Sequence, residues 1–248
     1  MKKQVGIIVD SFSVSQQIWE LIQFSKSAKN YEIKTLIINN VAHNNTNLIS
    51  KIISRIKRRG FKKFLSILIF KAVCKAESIF VKKNSKFHKF YNRYDLEKAG
   101  FNFITVNPIV SKSGLVYRYD SNDLDNIRKL NLDSMIRAES GILRGDILNI
   151  CPNGIISFHH ADNLVNRGGP PGFWEVYEKN PRTGFIVQRL KDELDGGDVL
   201  YKGYISTSWF YSLNLAKLYE ISNSFFHEVL EDITSIKPKL EVYSKAPY

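Results

Sequence analysis

The residues best suited to chemistry fall in one run between Ser157 and Glu175. His159, His160, Asp162, Asn163, Asn166 and Arg167 follow directly on Gly154–His159, an apolar stretch that reads as a buried strand. Open α/β sheets place ligand sites just beyond the carboxyl ends of such strands. Imidazole can give or take a proton near neutrality, and amides and a guanidinium supply hydrogen bonds. Gly168-Gly169-Pro170-Pro171-Gly172 comes next and predicts a shaped loop, because it is poor in helix formers and glycine reaches torsions closed to other residues. Each residue alone has an ordinary structural role open to it; together they point to a binding or catalytic loop. Nothing in the run has the spacing of a metal-ligand set, and no Ser-His-Asp order marks a covalent nucleophile.

The elements that must position this run are legible in the hydrophobic pattern. Val5-Gly6-Ile7-Ile8-Val9 is a continuous apolar run suited to a strand buried on both faces. After Asp10 the spacing changes to Val14, Ile18, Leu21 and Ile22, an amphipathic helix stripe with Ser11 and Ser13 as available N-caps. Residues 31–38 return to strand character, giving a parallel β-α-β opening whose crossover is expected to be right-handed. Further on, 101–106 reads as a strand and 124–130 as a short helix. Residues 133–142 read as a strand ending in the loop Leu143-Arg144-Gly145-Asp146. Residues 184–190 and 199–206 read as strands, and apolar residues from Leu215 to Ile233 recur at helical spacing in a long final helix. Strands alternating with helices predict an α/β fold.

At 248 residues and 44% hydrophobic, the chain can bury one good-sized core. The net charge of +12 is regional: 51–93 holds fourteen Lys or Arg against one acid, Glu77, a local +13 that leaves −1 elsewhere. A local patch implies a local anionic partner rather than a polyanion gripped along its length. Around it Ile52, Ile53, Ile56 and the apolar residues 64–70 predict one or two basic amphipathic helices. They would be either solvated on their lysine side or in contact with anionic headgroups or substrate phosphates. The aromatics here are Phe in apolar clusters with no stacking platform, which disfavours nucleic acid. Cys74 and Cys151 form no C-x-x-C pair and read as inert thiols. The apolar run before Asp10 is too short for a signal-peptide core or a membrane span, so the expected location is cytoplasmic, with peripheral contact at the inner face of the membrane open to the basic segment.

The spacing around His159 resembles the folate-dependent formyltransferases, the family of the glycinamide ribonucleotide, methionyl-tRNA and sugar N-formyltransferases. Its members show a strand ending in Asn-x-His, Arg-Gly eight residues past the His, Thr-Gly before another strand, and Asp-x-Gly thirty-six past the His. Here His159 is followed by Arg167-Gly168 at eight, Thr183-Gly184, and Asp195-Gly196-Gly197 at thirty-six. Ile142-Leu143 precedes His159 by seventeen residues, as does the family loop whose backbone holds the pterin. The resemblance covers about 135–205 best, extends to 1–40, and is absent over 45–95. It implies a Rossmann-like, mostly parallel twisted sheet with a basic helical insertion at about 45–95. The implied organisation is a catalytic domain over 1–210 and a C-terminal helix and tail over 211–248.

The implied activity is transfer of a formyl group from 10-formyltetrahydrofolate to a primary amine. His159, Asp195, Ser157 and Asn163 would stand at the reacting centre, and no metal would be required. Gly141, Ile142, Leu143, Leu194 and Asp195 would hold the folate. Ser11, Ser13, His160, Asn166, Arg167 and Gly168 would face the acceptor. Where the family has its asparagine, two residues before the His, this chain has Ser157, whose hydroxyl offers one donor instead of two. Asn163, Asn166 or His160 could supply the donor so lost. Only fifteen residues follow Ile233, too few for the extra domain with which the methionyl-tRNA enzymes grip tRNA, and Asp10-Ser11-Phe12-Ser13 lacks the glycine-rich phosphate loop of the purine enzymes. A nucleotide-linked or lipid-linked amino sugar of surface-glycan assembly is the expected acceptor. The alternatives are a formyltetrahydrofolate hydrolase, and a catalytically silent binding protein that docks on a membrane or partner through 51–93.

Overall fold

The structure, a computed structural model, describes residues 1–41, 60–165, 169–193 and 196–236. The chain opens with β1 (Lys3–Val9), a short β2 (Ser13–Ser15), α1 (Gln16–Ser27) and β3 (Tyr31–Asn39). The long α2 (Phe61–Lys83) leads to β4 (Arg93–Asp95), β5 (Asn102–Val106), β6 (Ile109–Val110), β7 (Val116–Arg118) and α3 (Ser121–Arg128). Then come β8 (Ser134–Arg137), β9 (Ile142–Leu143), β10 (Ile155–His159) and the single-turn α4 (Phe173–Tyr177). The chain closes on β11 (Arg182–Arg189), β12 (Asp198–Ser206) and α5 (Tyr211–Glu231).

Seven strands form one sheet in the order β12-β11-β10-β8-β1-β3-β5. The pairs from β10 to β5 are parallel, and β11 and β12 join antiparallel, so the sheet is the mostly parallel α/β type expected. Its alternating residues feed two cores. Val5, Ile7 and Val9 of β1 pack with Ile18, Leu21 and Ile22 of α1 and with Phe226, Val229 and Leu230 of α5. Ile8 points the other way, with Ile37 and Met135, onto Leu124 and Ile127 of α3. A strand with both faces covered must be apolar at every position, which is why β1 lacks a polar alternation. The chain runs from β1 outward to β3 and β5, then returns to β8 and moves the other way, so the switch point of the sheet lies between β1 and β8. Ligands bind at the carboxyl ends of the strands at such a point.

Three local expectations differ from the structure. Ser11 and Ser13 do not cap α1: Ser13 pairs with Asp95 in the β2–β4 ladder, and the helix begins only after Ser15, whose side chain makes no cap bond. The Gln16 N–H, at the first position of the helix, donates to the Asn92 carbonyl at 3.0 Å. The strand predicted over 133–142 stops at Arg137. Glu139 takes a positive φ of 47°, and the chain re-forms a strand only at Ile142–Leu143, in a separate three-stranded sheet beside β7. The helix predicted over 124–130 starts earlier, at Ser121, because the Asp120 carboxylate accepts from the Asp123 N–H. The predicted basic helix is present as α2, which packs on α5: Glu77 Oε2 accepts the Ser212 N–H at 2.8 Å and Phe70 meets Tyr211 and Phe173. The predicted basic run before Gly60 lies outside the described residues.

Candidate functional site

His159 is the last residue of β10 and is half-buried at its carboxyl end, paired in register with Ile186 of β11. It opens on a cavity of about 560 Å³, within the range of small-molecule sites. The wall opposite is built by Ile142 and Leu143 of β9. Their strand is held to β7 by Ile142 N–H to Leu115 O at 2.7 Å and Arg144 N–H to Tyr117 O at 3.1 Å. Alternate N–H groups of a strand point to opposite edges. β9 is the outer strand of its sheet, so the Leu143 N–H is directed away from β7. Gly141 sets this loop close to the ring of Tyr117, where a Cβ would come within 2.6 Å. The loop after β11 closes the same side: Asp192 accepts the Gly145 N–H at 3.0 Å and lies 4.0 Å from Arg144 Nη1.

A polar row crosses the sheet beneath the cavity. Arg137 of β8, Ser157 of β10 and Gln188 of β11 are register partners on three adjacent strands. Arg137 Nη1 donates to Ser157 Oγ at 3.1 Å, while its Nε and Nη2 donate to the carbonyls of Gly141 and Ser140. Ser157 is almost wholly buried and directs its own proton at the Phe158 carbonyl, 3.2 Å away. Gln188 is among the residues that line the cavity, while its Oε1 is buried and finds no partner among the described residues. Neither Arg137 nor Gln188 stood out in sequence. The signal available was a cation ending the apolar run Ser-Met-Ile-Arg, where a buried strand has no use for one.

The loop after His159 is pinned at several points. His160 stacks between Phe158 and Tyr219, and its Nε2 lies 3.1 Å from Ser222 Oγ on α5. Burial, and then the neighbouring His159, press its basicity down to about 3, so it stays neutral. Asp162 anchors the turn that follows. Its carboxylate takes Lys202 Nζ at 2.9 Å, Tyr204 Oη at 2.7 Å and the Leu164 N–H at 2.9 Å. Burial raises that carboxyl, but the bonds from Lys202 and Tyr204 outweigh it and hold it below its ordinary value. Gly184 of the Thr-Gly pair is required here, because a Cβ would stand 2.9 Å from the Asp162 backbone nitrogen. The proline loop is stitched to the same place by Asn214 of α5, which donates to Gly172 O and Thr183 Oγ1 and accepts the Ser208 N–H.

Thus the fold brings His159, His160, Ile142 and Leu143 to one cavity with Arg137 and Gln188. Ser157 and Asn163 lie buried behind its wall, and Gly141 beside it. Ser11, just past β1, donates to the Ser13 carbonyl, Ser13 of β2 accepts from Arg93, and neither lines the cavity. Asn166, Arg167, Gly168, Leu194 and Asp195 lie outside the described residues. Among the described residues no cluster of His, Cys, Asp and Glu is placed to hold a metal ion.

No protein-family model matches the chain. Over 75 residues it is 36% identical to a methionyl-tRNA formyltransferase of Anaeromyxobacter sp. (strain K), and 35% identical to one of Anaeromyxobacter dehalogenans. Those matches cover 30% of this chain and 24% of the relatives, so the chain matches about a quarter of the length of these curated proteins. In structure it is similar to phosphoribosylglycinamide formyltransferase from Bacillus halodurans, with a TM-score of 0.58 at 14% identity over 94% of this chain and 96% of that one. A sugar N-formyltransferase from a Shewanella species gives a TM-score of 0.53 at 15% identity, over 99% of this chain and 76% of that one. A formyltetrahydrofolate deformylase from Pseudomonas syringae gives 0.54 at 13%, over 94% and 62%. The chain therefore has the formyltransferase fold across nearly its whole length.

Proposed function

We propose that this chain, which has the formyltransferase fold, is an N-formyltransferase that moves the formyl group of 10-formyltetrahydrofolate to a primary amine on a nucleotide-linked or lipid-linked amino sugar. The observation that carries the reading is the cavity between His159 and the Ile142–Leu143 edge, with the register row Arg137, Ser157 and Gln188 across the sheet beneath it. The folate heterocycle would lie along β9, with Gly141, Leu143 and the Leu194–Asp195 segment around it, and would bring its formyl carbon toward His159.

The acceptor nitrogen attacks that carbon and forms the new C–N bond; the tetrahedral adduct then expels N10 of the folate. The amine proton ends on N10. His159, as an imidazolium, donates to the adduct, and Asp195, thirty-six residues on, favours the charged ring and orients a relay water. His160, Asn166, Arg167 and Gly168 would border the acceptor, and Asn163 would brace the loop from beneath. The catalytic unit on this reading is 1–210.

The test is a binding titration of the purified protein with a stable formyltetrahydrofolate analogue. Saturable binding to the parent, weakened at least about tenfold, or ~1.4 kcal/mol, in Asp195→Asn and His159→Ala, is expected. Absence of binding at millimolar analogue would remove the formyl donor, and loss of formyl to water with no amine present would make the chain a hydrolase.

A peripheral membrane contact is favoured by one further observation. The outward face of α2 exposes Phe61, Leu65, Leu68 and Ile69, away from the Phe70 and Glu77 side that packs on α5, with Lys71, Lys75 and Lys82 along one flank. An apolar stripe beside lysines suits the boundary of an anionic bilayer. Among the described residues no helix is long and apolar enough to cross a membrane. Pelleting with phosphatidylserine vesicles should fall sharply in Leu68→Asp/Ile69→Asp; unchanged pelleting sinks this contact.

A further inference from the structure

Resting on the formyl-transfer reading above, we infer that the donor missing at Ser157 is supplied by the guanidinium of Arg137. The family asparagine stands two residues before the histidine, on the same face of the strand, because alternate residues share a face. In this chain that position carries Ser157, and its hydroxyl is committed on both sides: its proton goes to the Phe158 carbonyl and its oxygen accepts Arg137 Nη1. A hydroxyl has a single proton, so Ser157 is an anchor and not an oxyanion donor. Arg137, its register partner on β8, lines the cavity together with His159.

The seating of Arg137 fits this role. Its side chain donates to the Gly141 carbonyl at 2.8 Å, the Ser140 carbonyl at 3.1 Å and Ser157 Oγ at 3.1 Å. A guanidinium is planar and carries its five N–H groups in a fixed fork. Anchoring three of its atoms therefore sets the whole plane before any substrate arrives. Preorganised donors of that kind stabilise charge that appears only in the transition state. The guanidinium also stays charged at every working pH, so it serves the adduct without moving a proton. The small residue at 157 is what gives it room, since a carboxamide there and the guanidinium would compete for one space. Of the other candidates, His160 is stacked on Phe158 and Tyr219 and turned to Ser222, Asn163 is wholly buried, and Asn166 lies outside the described residues.

The step served is the same transfer. The acceptor amine forms a bond to the formyl carbon, the carbonyl π pair moves onto oxygen, and that oxyanion is held by Arg137 with His159. The pair then returns, the bond to N10 breaks, and the amine proton is left on N10.

Two binding probes test this without knowledge of the acceptor. One is 5,10-dideazatetrahydrofolate, which has no formyl group. The other is a dideazafolate carrying a trifluoromethyl ketone in place of the formyl, which hydrates to a gem-diol and mimics the tetrahedral adduct. The parent should prefer the gem-diol, and Arg137→Ala, which also loosens the Ser140–Gly141 loop, should weaken the gem-diol by at least about tenfold more than it weakens the formyl-free probe. Arg137→Ala/Ser157→Asn should recover at least about tenfold of that loss, because it restores the carboxamide donor. Retained affinity for the formyl-free probe shows that a variant is folded, and Arg137→Lys serves if the alanine variant is not. A parent that binds neither probe overturns the formyl-transfer reading itself. A parent that binds both equally, or an Arg137→Ala variant that melts cooperatively like the parent and loses both in parallel, leaves that reading standing and overturns this one.

Discussion

Removing the charge of Asp162 should cost far more than a loop substitution ordinarily does. Its carboxylate and the ammonium of Lys202 are 2.9 Å apart, with side chains only 10% and 13% exposed. Asp162→Asn keeps the shape and one acceptor but removes the carboxylate charge that faces the largely buried ammonium. Breaking one side of a buried pair typically costs 3–5 kcal/mol, and because the isosteric amide retains part of the hydrogen bonding, about 3 kcal/mol is expected. For a chain of this size each kcal/mol moves Tm by about 2–4 °C, so the variant should melt roughly 6–12 °C lower. Lys202→Met alone should cost a similar amount, since it strands the carboxylate. The double variant Asp162→Asn/Lys202→Met should lie within about 1 kcal/mol of the parent, because neither partner is then left charged. Urea midpoints for all four proteins provide the cycle. The sign with pH follows from the lowered carboxyl: the stabilisation is full above the ordinary aspartate range and disappears as pH falls through the native value. Parent and Asp162→Asn should therefore differ at pH 7 and converge in acid. A cost below about 0.5 kcal/mol at pH 7, or strict additivity in the cycle, would refute the reasoning.

Asn214→Ala removes the acceptor of the Ser208 N–H and the donor to Gly172 O and Thr183 Oγ1 at a fully buried site. It should cost roughly 2–4 kcal/mol in urea unfolding and weaken analogue binding through the proline loop. His160, depressed to about 3 in the fold by burial and by His159, should stay neutral by nitrogen NMR down to about pH 4. An unfolded chain protonates that ring near pH 6.5, so stability should be lost as pH falls from there toward the native value, and His160→Gln should flatten that part of the acid limb.

The chain's local pattern was enough to read much of this molecule. A continuous apolar run with no polar alternation, Val5 to Val9, admits burial on both faces and hence the centre of a parallel sheet. The dense polar set after Phe158, with glycine and proline behind it, could be placed at a strand end because few other arrangements tolerate so many hydrogen-bonding groups and so little helix-forming potential. Both are properties of neighbouring residues along the chain. Non-local pairing decided the rest. Ser11 and Ser13 look like helix caps until β4 arrives from eighty residues downstream and turns Ser13 into a strand residue. The stretch 133–142 looks like one strand until Glu139 turns the backbone and β9 docks on β7. The partnership of Arg137, Ser157 and Gln188 is a matter of register across three strands, twenty and thirty-one residues apart in the chain. Register is set by the packing of whole strands against their helices, which no local spacing encodes. Sequence therefore determined which residues could do chemistry, and only the tertiary structure decided that a guanidinium rests on the serine where a carboxamide was expected.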